Sequence, residues 1–184
     1  MTYLPRRELY HLYQNLPCGP LYRNDPGIIV GFFTGNFHGY NEFMNPFNFY
    51  IPIEIRYGDL DPQGHVNNAR YLTYLEQARI GYITHLGLWD GQSFSQIGII
   101  LADAHLTFQA PIYFGQPIRV GVRTTHLGNK SLTVEYLIED SQTQQEFARA
   151  STVLVTYDYQ NHRTIQIPEN WRQQISEFEH LALE

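Results

Sequence analysis

A chain of 184 residues with 43% apolar and 16% charged side chains holds enough material for one domain with a single core, and is short for two. Its formal net charge of -6 argues against nucleic-acid partners, which need a basic face to displace counterions from phosphates. The single cysteine, Cys18, makes no internal disulfide and no zinc spacing, so neither a metal nor a disulfide framework is expected.

The first residues, MTYLPRRELYHLY, interrupt any signal-like apolar run with charges and tyrosines. The longest apolar patch, IIVGFF at 28–33, is far short of the roughly 20 residues that cross a bilayer. The expectation is a soluble cytoplasmic protein with no membrane partner. Residues 1–47 read as an extension, with a short amphipathic helix over 6–15 ended by Pro17 and Gly19, then Gly-, Asn- and Phe-rich sequence through Pro46. A lid, an oligomer contact or a segment laid over the domain surface all suit it.

From Phe47 the pattern becomes regular. Ile51, Ile53 and Ile55 alternate along a strand over 49–57, with Pro52 marking an edge. Tyr71, Leu75, Ala78, Tyr82 and Leu86, widened by Leu72 and Ile83, form one face of a helix over 68–86 that Gly87 stops. Strands follow over 97–108, 117–127, 131–139 and 146–157, the last continuing past a bend through 164–167. Leu127-Gly128-Asn129-Lys130 is a hairpin turn, and a terminal helix starts near Pro168 and covers 169–178. A sheet with one apolar face needs a cover, and the helix over 68–86 is the long apolar one available. The predicted class is α+β, a long central helix wrapped by a curved antiparallel sheet.

The loop before that helix carries the chemistry. Asp61 precedes Pro62, which favours an extended backbone, and Gly64 permits a tight return into the helix. A carboxylate is thereby set close to a helix N-terminus, with its unpaired amides and about half a positive charge. Read locally, Asp59 and Asp61 are turn or capping residues, and Asn67 with Asn68 an N-cap pair.

The run Tyr57-Gly58-Asp59-Leu60-Asp61-Pro62-Gln63-Gly64-His65-Val66-Asn67-Asn68, continued by Tyr71-Leu72 and by Tyr74 through Arg79, resembles the signature of the 4-hydroxybenzoyl-CoA thioesterase family of acyl-CoA thioesterases. The layout over 48–160 is similar to that family's hotdog fold, so residues 48–184 are expected to form the thioesterase domain. The resemblance implies that Asp61 is catalytic, as nucleophile on the thioester carbonyl or as general base toward water. It implies that the Asn68 amide holds the carbonyl oxygen, that no cofactor is needed, and that subunits join as dimers, commonly paired into tetramers, with sites between subunits. Asp59 is left structural, as a turn or capping residue.

The supporting residues stay open. His65 either touches the thioester oxygen, orients water, or is a plain hydrogen-bonded loop histidine. Gly64 and Asn67 shape the loop beside substrate. Glu76 is either paired with Arg79 or a secondary acid in the pocket. An acyl-CoA substrate needs cations for its phosphates, and Arg119, Arg123, Lys130 and Arg149 are the candidates, each equally a solvated sheet residue. An acyl carrier protein is the alternative carrier. A hydratase or dehydratase using Asp61 and His65, and a non-catalytic acyl-thioester binder, are the rival functions. A buried carboxylate gains a mere binder nothing.

Overall fold

The computed structural model describes residues 47–89 and 97–182. The helix expected over 6–15, and all of the expected extension except Phe47, lie outside the described residues.

Among the described residues six strands form one antiparallel sheet: β1 (Phe49–Ile53), β2 (Ile97–Phe108), β3 (Ile118–Leu127), β4 (Ser131–Asp140), β5 (Glu146–Asp158) and the short β6 (Arg163–Thr164). Their order is β1-β3-β4-β5-β2, with β6 beside β5. The helix α1 (Asn68–His85) lies against β1 and β3, and α2 (Glu169–Glu179) packs on β3.

The period of two decides which side chains meet α1. Ile118, Val120 and Val122 of β3, Leu132, Val134, Tyr136 and Ile138 of β4, and Ala148, Ala150 and Leu154 of β5 join Tyr71, Tyr74, Leu75, Ala78, Tyr82 and Ile83 of α1 in one core. The opposite face carries the charged pairs, with Leu137 buried between them. There Arg119 pairs with Glu139 and Arg123 with Glu135, while their guanidinium groups stack over the rings of Tyr50 and Phe47. Gly81 lets α1 approach β1 closely, since a Cβ there would meet Ile51 Cδ1 at 2.9 Å.

Two sequence expectations shift. The first strand ends at Ile53 instead of running to 57, because the Asp59 carboxylate takes the backbone N–H of Arg56 and turns the chain into a 3-10 segment, Tyr57–Asp59. Leu72, expected in the buried stripe, is 45% exposed, whereas Tyr74, absent from that stripe, is buried. Leu72 borders a groove beside β2, and the hydroxyl of Tyr74 finds a partner inside. Gly87, at φ +67, follows the end of α1 as expected.

Candidate active site

The loop between the 3-10 segment and α1 is a miniature hairpin. The Asp61 N–H donates to the His65 carbonyl (2.9 Å), the Gly64 N–H to the Asp61 carbonyl (3.0 Å), and Leu60 bridges to Val66. Gly64 takes φ +86, a conformation costly for any side-chain-bearing residue. A second tie reaches across the fold, where His65 bridges to Tyr113 and the Val66 N–H donates to Ile112 (2.8 Å). The loop is therefore fastened to the segment that follows β2.

Asp61 is partly enclosed by this hairpin, and its side chain is 15% exposed. One carboxylate oxygen accepts the Gln63 N–H at 2.8 Å, and the other lies 3.3 Å from His65 Nδ1. His65 and Asn68 line a cleft of about 250 Å³ at the start of α1, together with Val66, Tyr71, Phe108 and the 109–111 segment. Asp61 is not itself in the cleft wall and meets it through His65.

At the helix start, Asn67 is the N-cap, its side-chain oxygen accepting the Ala69 N–H at 2.9 Å. The Arg70 N–H donates to the Asn67 carbonyl and the Asn67 N–H to the Asp59 carbonyl. Among the described residues the Asn68 N–H alone of these four consecutive amides has no acceptor. An unpaired N–H at a helix N-terminus, beside a cleft, is the feature an oxyanion needs.

Asp59 is buried at 1% exposure and is surrounded by donors: the Arg56 N–H and guanidinium and the Tyr74 hydroxyl, with Arg70 Nε at 3.6 Å. Burial pushes its pKa up, but the Arg56 bonds and the Tyr74 hydroxyl outweigh that and hold it below the ordinary 3.8. The expectation of a structural Asp59 agrees with these contacts. Burial, then the bond to Asp59, pushes the Tyr74 hydroxyl up, so it remains a neutral donor.

Other sequence candidates fall elsewhere. Glu76 is exposed and forms no ion pair with Arg79, which turns to the Tyr136 hydroxyl (3.4 Å). Glu76 lines a different groove, of about 400 Å³, with Leu72, Ile100, Leu101 and Tyr159. Arg123 is on the charged-pair face of the sheet with Glu135, and Arg149 is bound to Glu146, so neither is brought to the cleft. Lys130, in the β3–β4 turn, donates to Thr164 of β6. That turn adjoins Val155, whereas the cleft residue Phe108 pairs with Ala148. Seven residues of β5 separate the two, roughly 23 Å at 3.3 Å per residue. Sequence reasoning placed Tyr71 only in the core and overlooked Phe108 and 109–111 as cleft walls. No local signal marks the latter, since their role comes from the pairing of His65 with Tyr113.

A helix wrapped by an antiparallel sheet, with a carboxylate loop folded onto the helix start, defines an enzyme of the hotdog class. The family model described as the thioesterase-like superfamily matches residues 55–175, and the chain belongs to that superfamily. It is 29% identical over 118 residues to a 1,4-dihydroxy-2-naphthoyl-CoA hydrolase from Synechococcus elongatus, covering 62% of this chain and 85% of that one. It is 22% identical over 125 residues to the long-chain acyl-CoA thioesterase FadM of Escherichia coli, covering 68% and 95%. Among solved structures, a thioesterase complexed with coenzyme A and Zn from Thermus thermophilus is 34% identical, with a TM-score of 0.63 and coverage of 74% and 98%. Among the described residues, no three His, Cys, Asp or Glu side chains gather as metal ligands, and no helix is long and apolar enough to cross a membrane.

Proposed function

We propose that this chain hydrolyses acyl-CoA thioesters to the free acid and CoA in the cleft at the start of α1. The observation that carries the reading is the unpaired Asn68 N–H on a cleft whose wall, His65, is in contact with the Asp61 carboxylate. With the thioester oxygen on that N–H, negative charge developing at the oxygen gains the amide and the positive end of the helix dipole. Asp61 then acts in one of two ways. As a general base it takes a proton from water as the water oxygen attacks the carbonyl carbon, and collapse of the tetrahedral oxyanion breaks the C–S bond and expels the CoA thiolate, which takes up that proton. As a nucleophile it forms an anhydride, expels the CoA thiolate, and is released by water. His65, held by Asp61 and facing the cleft, orients the attacking group. Gly64 and Asn67 act through shape, the first by its turn and the second by fixing the helix start.

The proposal extends to assembly. Among the described residues β2 pairs only with β5, leaving its other edge free, and residues 100–105 are exposed on both faces. A long unpaired edge with exposed Ile100 and Leu101 suits sheet-to-sheet pairing with a second copy. The groove holding Glu76 opens along this edge, so Glu76 belongs to an assembled site.

The activity is tested by free-thiol release from acyl-CoAs of varied length and aromaticity, with an acyl carrier protein thioester alongside. The proposal expects turnover of at least one CoA thioester. Binding of acyl-CoA with no thiol released from any of them would leave a binding protein instead.

A further inference from the structure

Asp59 has more bonds than a turn residue needs, and they run to three separate pieces of chain. Its carboxylate accepts the Arg56 N–H (3.0 Å), the Arg56 guanidinium (3.2 and 3.3 Å) and, from inside the second turn of α1, the Tyr74 hydroxyl (3.0 Å). Its carbonyl accepts the Asn67 N–H (2.8 Å), immediately before the unpaired amide of Asn68. One residue thus fastens the entry of the loop, the body of the helix and the helix start. The stretch between Asp59 and Asn67 includes both Asp61 and His65.

The surroundings make this fastening stiff. Asp59 and Tyr74 are each 1% exposed, so no water competes for their bond. A buried carboxylate with one donor removed keeps its desolvation cost, which makes each partner more consequential than at a surface. Arg56 and Arg70 screen the charge from the outer side, at 3.2 and 3.6 Å. Tyr74 belongs to α1 itself, so its hydroxyl sets the distance between the helix and the loop that faces the helix's own first amide.

We propose that Asp59 and Tyr74 are a positioning pair, holding the Asp61 loop in register with the Asn68 N–H. Neither touches substrate; both act through Asp61, and the inference rests on the catalytic reading of that residue. A misplacement of about 1 Å in a reacting group costs on the order of a hundredfold in rate. The pair therefore governs kcat and leaves the binding of CoA alone.

The test compares Tyr74→Phe, which keeps the ring in the core, with Asp59→Asn, which keeps the shape. Each is made in the wild-type chain and in Asp61→Asn, with kcat, KM, the affinity for free CoA and the melting temperature measured. The pair predicts a kcat loss of about ten- to a hundredfold for Tyr74→Phe with KM and CoA affinity unchanged. In the Asp61→Asn background the same change should cost nothing further, because the residue it positions is gone. Wild-type kcat in Tyr74→Phe, or an equal additional loss in both backgrounds, overturns the positioning role while leaving Asp61 as the catalyst. Full activity in Asp61→Asn alone overturns the catalytic reading itself. If Asp59→Asn fails to fold, Tyr74→Phe decides alone.

Discussion

At the scale of single residues, the proposed chemistry depends on a difference between neighbours: Asn67, Ala69 and Arg70 have bonded amides and Asn68 does not. Proline at 68 would remove that N–H without harming the helix. Position 68 is the first helical residue, where proline is favoured, and Asn67 already has φ -60 and ψ 135, the extended conformation proline requires of its predecessor. Asn68→Pro should therefore fold normally and lose about a hundredfold or more in kcat, as expected for one oxyanion donor. Asn68→Ala, which retains the N–H, should stay near wild type. Steady-state thiol release from the two variants decides the point, and equal rates would remove the amide from the mechanism. The motif in the sequence made Asp61, His65 and Asn68 legible as candidates. The Asp59–Tyr74 bond was not legible, because it depends on which side of the α1 stripe is buried: Leu72 was read as widening it on one side, whereas Tyr74 lies on the other. The ion pairs that engage Arg119 and Arg123 were not legible either, because 123 stands opposite 135 and 119 opposite 139 only after a register shift between Thr124 and His126 that the 127–130 turn does not announce.

At the scale of elements, α1 and the strands followed from periodicity because burial on one face imposes it on the sequence. The early end of β1 did not, since there a side chain, Asp59, outcompetes the ladder for one backbone amide. The end of α2 shows a further polar contact in the core. The Tyr82 hydroxyl donates to Glu179 at 2.6 Å, and the Thr124 N–H donates to the same oxygen at 3.1 Å. Burial pushes the Glu179 carboxyl above its ordinary 4.5, outweighing these bonds. A pKa raised on folding means that the folded state holds the proton more tightly than the unfolded state. The resulting stability is complete below pH 4.5 and is lost as pH rises through the raised value. Glu179→Gln keeps an oxygen for Tyr82 and Thr124 but cannot ionise. Thermal melts of both proteins across pH should show wild type losing stability relative to the variant as pH climbs above 4.5. A difference that stays level, or moves in favour of wild type, would contradict the assignment.

At the scale of the whole molecule, the described residues supply a core, a cleft and, in β2, an edge strand paired on one side. The chain's acidic total of -6 left the CoA phosphates to scattered arginines, and the described arginines on the sheet face are held by carboxylates of the same chain. Sequence periodicity locates strands but carries no record of which edge stays open, so the exposure of β2 on both faces emerged only with the sheet order. Leu101→Arg places a charge on that edge at a residue 43% exposed in the single chain, so the fold itself should tolerate it. Sedimentation should show wild type as a dimer or larger and the variant shifted to the monomer, whereas a monomeric wild type would remove the edge-pairing proposal. The most direct measurement for the enzyme as a whole is kcat for acyl-CoA hydrolysis by wild type and Asp61→Asn, with the melting temperature of each. Catalysis by Asp61 predicts a loss of at least about a thousandfold at an unchanged melting temperature. Comparable rates in the two proteins would show that the carboxylate at 61 is not the group that drives the reaction.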